Sequence, residues 1–190
     1  MLSTFLLLGL TLVAAATDVL RNKIYNWNTY SGILAALALS AAGSAWLWAV
    51  GAAEERLGQW LGSPPLLDSL GGLLACGGLM IVCFSIFPGI GGGDVKLMAM
   101  VGALLGTYEG LEALLWTFVL AACFSLIVLV WKVGPVATVS RVVRLVSTRL
   151  LRLPWFMPLS DEERMALKPP VFLAPAALAA AVIVRFKLIA

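Results

Sequence analysis

Residues 111 to 132 read LEALLWTFVLAACFSLIVLVWK, an apolar run whose only carboxylate is Glu112 and whose only base is the closing Lys132. At about 1.5 Å per residue, such a run is long enough for a hydrocarbon core roughly 30 Å thick. Comparable segments cover about 2 to 20, 29 to 51, 68 to 87 and 170 to 188, with a shorter one at 95 to 107. Lipid offers the backbone no hydrogen bonds, so segments of this kind cross as helices; the alternation of a β-barrel is absent. The expectation is an all-α integral membrane protein with six transmembrane helices, the fourth short and preceded by a glycine-rich loop. Composition agrees: 62% hydrophobic, 12% charged and a mean hydropathy of +1.01, against about half apolar and a quarter charged in soluble domains. Six crossings consume the chain, so residues 1–190 are expected to form a single transmembrane domain.

The fourth segment is the anomaly. Residues 95 to 107 give only about 20 Å of helix, so part of that crossing must be non-helical backbone shielded by protein. It is introduced by GIGGGDVKL, residues 89 to 97, which places four glycines, an aspartate and a lysine at a membrane boundary.

Orientation follows from the basic residues. The links after segments one, three and five hold ten of the thirteen, among them Arg21, Lys23, Lys96 and Lys132. The other side keeps Arg56, Arg185 and Lys187. The positive-inside bias therefore places both termini on the non-cytoplasmic side and the link 133–169 in the cytoplasm. Within that link, Arg141, Arg144, Arg149 and Arg152 alternate with valine and leucine. The pattern is a basic amphipathic helix lying on anionic lipid over 141–152.

Several chemistries are excluded. There is no histidine, which removes histidine-activated nucleophiles, imidazole metal ligands and a histidine proton relay. Cys76, Cys83 and Cys123 lie inside apolar runs with no C-x-x-C spacing, so they read as small core residues. No metal, no cofactor and no nucleic-acid partner is expected. Residues 2 to 16 followed by Ala14-Ala15-Ala16 resemble a signal peptide, but the basic leading region is missing, so the first segment is expected to stay as a helix.

The carboxylates can each be placed. Glu54, Glu55, Asp68, Glu109 and Glu112 fall on the outer side, and Asp161, Glu162 and Glu163 in the long link. Asp18 closes the first segment, and Asp94 opens the fourth after two further crossings have returned the chain to the same face. Two acids remote in sequence are thus predicted at one depth. Brought together in a poorly solvated site, they would share a proton, one acting as base toward water while the other hydrogen-bonds a scissile carbonyl. Gly91, Gly92 and Gly93, without Cβ atoms, would let a peptide approach and would take φ values closed to other residues. Structural alternatives stand beside this reading. Asp94 also suits a helix N-cap, and Asp18 an interfacial acid facing Arg21 or Lys23. Gly102 and Gly106 suit helix packing. Lys96 suits a snorkelling interfacial lysine, or one that lowers the pKa of Asp94 or holds substrate.

Gly91-Gly92-Gly93-Asp94 is a G-x-G-D motif, and with Val95-Lys96-Leu97 it resembles the second catalytic motif of the type IV prepilin leader peptidases. The stretch from Asp18 to Asn26 resembles their first motif: an aspartate, a basic loop, then Ile-Pro-Asn, with Ile24 and Asn26 matching and Tyr25 in place of the proline. Pro169-Pro170-Val171-Phe172-Leu173-Ala174-Pro175 is similar to the Pro-x-x-Phe-Leu-Ala segment before the family's last helix. The resemblance implies a membrane aspartyl protease of the bacterial cytoplasmic membrane, with Asp18 and Asp94 as catalytic pair and Gly91, Gly92, Gly93, Lys96 and Asn26 around the substrate. Its partner would be a prepilin or pseudopilin, cut at the cytoplasmic face, commonly after glycine. The cysteine-bearing insert of the longer members is missing. The chain is therefore similar to the short, peptidase-only forms of Flp-type tight-adherence pili, and methyltransferase activity is not assigned to it.

A competing reading uses the same two acids to bind protons or cations in a transporter or secretion assembly subunit, the broken fourth helix lining the path. It expects the acids near the midplane, whereas the sequence puts both at one face.

Overall fold

The computed structural model describes residues 1–21, 23–50, 61–87, 90–134 and 173–188. Among them are six helices and no strand: α1 (Leu2–Arg21), α2 (Asn26–Val50), α3 (Leu66–Ile86), α4 (Gly92–Leu105), α5 (Thr107–Val133) and α6 (Leu173–Arg185). Four of them, α1, α2, α3 and α5, are long and apolar enough to cross a membrane; α4 and α6, with 14 and 13 residues, are shorter than a bilayer core requires. The expected helices all exist, with shifted ends. α2 begins at Asn26 rather than near residue 29, and residues 170–172, expected to open α6, lie outside the described residues. The basic stretch 141–152, the acids Glu54, Glu55, Asp161, Glu162 and Glu163, and Pro169 to Phe172 lie outside the described residues.

Residues 1–120 with 172–190 form one compact unit, and residues 121–171 a second, which among the described residues contains the second half of α5 and Gly134. The first unit carries the site. Its outer surface is apolar: Phe5, Leu34 and Leu74 are more than two-thirds exposed, as lipid-facing side chains are. Hydroxyls inside these helices bond to their own preceding turns, Thr11 Oγ1 to the Leu7 carbonyl at 2.6 Å and Thr117 Oγ1 to that of Ala113 at 2.6 Å. Each such bond removes a polar group that lipid could not satisfy.

At the centre stands α4. Leu97, Met98, Met100, Val101 and Ala103 are all fully buried, so this short helix is wrapped by protein along most of its length. It packs most extensively on α3. The contact is made backbone to backbone: a Cβ on Gly72 would strike the carbonyl of Gly102, and one on Gly102 would strike that of Gly72. Gly102 is thus a packing residue, while Gly106 ends the helix at φ 91°, conformational space that glycine enters without strain.

Asp68, in the first turn of α3, ties that helix to the start of α5. Its Oδ1 accepts the Thr107 N–H at 3.0 Å, capping α5. From Asp68, α3 continues eighteen residues to Ile86, whereas α4 reaches back only fourteen from Gly106 to Gly92. At about 1.5 Å per residue the start of α4 stops about 6 Å short of the end of its neighbour. A cavity opens beside the start of α4, where Gly91, Gly93 and Asp94 share its wall with Asp18 and residues 23–26. At the opposite end, Met1 and Arg185 both meet Gly62, Arg185 Nη2 donating to its carbonyl at 3.3 Å, so the first and last helices begin and finish together.

Candidate active site

Three chain segments line the cavity, the last turn of α1, residues 23–26 and the start of α4, and the start of α6 reaches Asp18 through the Ala174 amide. Asp18 lies one turn before the end of α1. Asp94 is the third residue of α4. The two line one cavity of about 370 Å³, together with Lys23, Ile24, Tyr25, Asn26, Gly91 and Gly93. Both carboxylates are half-buried. The cavity is reachable from outside the bundle, since Lys23, Asn26 and Gly91 on its wall are exposed.

Asp94 is held by its own helix. Its Oδ2 accepts the Gly91 N–H at 2.9 Å while its N–H donates to the Gly91 carbonyl at 3.0 Å. The helix N-cap is therefore Gly91, and Asp94 caps from the third position, as in a capping box. That bond occupies Oδ2 and leaves Oδ1 without a protein partner among the described residues. Asp18 is held from a distance: its Oδ2 accepts the Ala174 N–H at 3.4 Å, from the first turn of α6. Neither acid is in an ion pair among the described residues. Arg21 turns to Tyr25, donating from Nη1 to the phenol oxygen at 2.7 Å, so the reading of Asp18 as an acid paired with a neighbouring cation does not hold there.

The glycines act through space rather than through unusual backbone angles. Gly91 has φ −87° and ψ 152°, open to any residue, and neither Gly92 nor Gly93 has a positive φ. The expected special φ values are thus not used, because the helix already starts at Gly92. Gly93 instead lies against Ile24, where a Cβ would stand 3.0 Å from the isoleucine Cβ. A Cβ on Gly91 would stand 3.3 Å from Asp94 Oδ2. Around Gly92 there is open space, and it does not line the cavity.

Lys96 lies off the cavity wall. Its Nζ donates to Asn26 Oδ1 at 2.8 Å and sits 5.0 Å from the centre of the Tyr30 ring. Asn26, expected near the substrate, does line the cavity. Four contributors were not among the site residues named from the sequence: Lys23, Ile24, Tyr25 and Ala174. Lys23, Ile24 and Tyr25 sit inside the motif already quoted, which was their signal. Tyr25 also closes the first turn of α2 through its carbonyl, a task its side chain does not affect. The amide of Ala174 carries no side-chain signature at all.

The profile of the type IV leader peptidase family matches residues 5–126, more than half of the chain. The protein belongs to this family. No curated protein and no solved structure matches it. Membership makes it a peptidase, and its apolar helices make it a multi-pass membrane protein. The span matched to the leader peptidases contains Asp18, Asn26 and the Gly91 to Asp94 motif; α6, which supplies the amide to Asp18, lies beyond it.

Proposed function

We propose that this leader peptidase is an aspartyl endopeptidase that removes the basic leader of a prepilin or pseudopilin at the cytoplasmic face of a bacterial inner membrane. The observation that carries the proposal is that Asp18 and Asp94, from different helices, line one accessible cavity. One carboxylate, ionised, takes a proton from a water molecule whose oxygen attacks the scissile carbonyl carbon. The other, protonated, donates a hydrogen bond to the carbonyl oxygen as it gains charge. Collapse of the tetrahedral intermediate breaks the C–N bond, and the departing amine takes a proton from the pair. This chain's own acids and a water suffice for that sequence.

The setting fits such a substrate. A leader peptide keeps its basic residues in the cytoplasm while the segment behind it enters the bilayer, so its cleavage site stops at the membrane boundary. A glycine before the bond favours extended backbone, which exposes an amide that a helix would hide. In this reading α4 and α6 complete six crossings, with both termini outside and residues 141–152 resting on anionic lipid. The location of both acids at one end of the bundle disfavours the transport reading, which needs them midway.

The test is co-expression with a prepilin carrying a basic leader, read as a gel shift on leader loss. Asp18→Asn and Asp94→Asn are each expected to abolish processing while the protein still accumulates in the membrane. Normal processing by either variant would sink the proposal.

A further inference from the structure

Lys96 is two residues from Asp94, yet its ammonium group is used elsewhere. Nζ donates to Asn26 Oδ1 at 2.8 Å and stands 5.0 Å from the centre of the Tyr30 ring. Asn26 and Tyr30 are four apart on α2, hence on one face of its first turns. One cation thus satisfies an amide oxygen and an aromatic face together, two attractions that both need the positive charge. The bond joins the first turn of α4 to the first residue of α2 across seventy positions of sequence.

The same short connection is pinned a second time. Ile24 rests on Gly93, the residue before Asp94, and Arg21 holds Tyr25 from the α1 side. Residues 23–26 are therefore fastened to α4 at Ile24 and Asn26 and to α1 at Tyr25. Since this connection is the direct covalent link from Asp18 to α2, fixing it to α4 sets where Asp18 stands relative to Asp94. We propose that Lys96 is a positioning residue that acts through Asn26 and Tyr30 to hold the α1–α2 connection, and with it Asp18, in register with Asp94. The proposal rests on the reading of the two aspartates as the catalytic pair. It gives Lys96 no contact with substrate or with the reacting atoms.

Loss of register on the ångström scale lowers turnover by roughly a hundredfold. Lys96→Met is expected to lower kcat by roughly tenfold to a hundredfold and to leave KM for the prepilin within about twofold. Lys96→Arg, which keeps the charge and stacks on tyrosine, should recover most of the turnover. Tyr30→Phe keeps the ring face and should behave as the parent enzyme, whereas Tyr30→Leu should not. Lys96→Met combined with Tyr30→Leu should be little worse than Lys96→Met alone, since both break one tie.

The register itself is read separately, without any substrate. In a background with Cys76, Cys83 and Cys123 replaced, cysteines at positions 18 and 94 should join rapidly with a short bis-methanethiosulfonate reagent, and adding Lys96→Met should slow that joining severalfold. Unchanged joining with a raised KM would overturn the proposal and make Lys96 a substrate contact. Failure of Lys96→Arg to restore turnover would equally overturn it. The aspartate variants judge the peptidase reading on their own, so processing that survives Asp94→Asn condemns that reading while the crosslinking still judges the tie.

Discussion

Gly93 lies so close to Ile24 that a methyl group added to the glycine would stand 3.0 Å from the isoleucine Cβ. That contact presses the connection after α1 against the residue next to Asp94. It turns a motif glycine into a spacer between the two halves of the cavity. Gly92, its neighbour in the chain, faces open space. The two positions should respond differently to the same substitution. Gly93→Ala is expected to reduce leader removal by roughly tenfold, since a shift of a few tenths of an ångström moves Asp94 against Asp18. Gly92→Ala should process normally and raise stability by about 0.5 kcal/mol, because it removes freedom from the unfolded chain at a position whose backbone angles alanine accepts. Equal losses from both would contradict the spacer role.

The α3–α4 contact makes a second contrast. A side chain on Gly72 meets the backbone of Gly102 and Gly106, which cannot swing aside as a side chain can. Gly72→Ala should lower the midpoint of thermal unfolding in detergent, with a cost of about 2 kcal/mol or more. Gly78→Ala meets nothing within 4 Å and should leave the midpoint unchanged or slightly raised.

Asp68 sits at the end of the bundle remote from the cavity, its carboxylate capping α5 at Thr107. Asp68→Ala should destabilise by about 2 kcal/mol, as loss of a hydrogen bond to a charged group does, and leave kcat for leader removal near its parent value. A variant of parental stability that had lost turnover would show that this third acid takes part in the chemistry.

Sidedness is open to direct labelling. In the cysteine-free background, Lys23→Cys should react with an impermeant maleimide only in inside-out vesicles, and Lys187→Cys only from the outside of intact spheroplasts. The reverse pattern would turn the cavity away from the compartment in which a leader peptide is made.

Much of this arrangement was legible from residue type and spacing. Apolar length fixed the helices, and the scarcity of carboxylates left Asp18 and Asp94 as the two that an alternating path returns to one end. What the chain did not disclose depends on distant partners. Nothing near Lys96 in sequence points to Asn26 and Tyr30, and nothing near Asp18 points to the Ala174 amide. The glycine run suggested unusual backbone angles because loops use glycine that way; α4 begins inside the run, so helical angles apply and the need is for space. The short fourth segment was expected to borrow non-helical backbone for its crossing. Residues 88 and 89, before it, lie outside the described residues; the helix itself is buried at Leu97, Met98, Met100, Val101 and Ala103.

The amide that holds Asp18 lies 156 residues further along the chain. During synthesis α1 enters the membrane long before Ala174 has been translated, so Asp18 waits without that partner while the intervening helices insert. A nascent polypeptide stalled before α6 would carry both acids and still have one of them untethered. Only after translation has passed residue 174 can Asp18 take up that hydrogen bond.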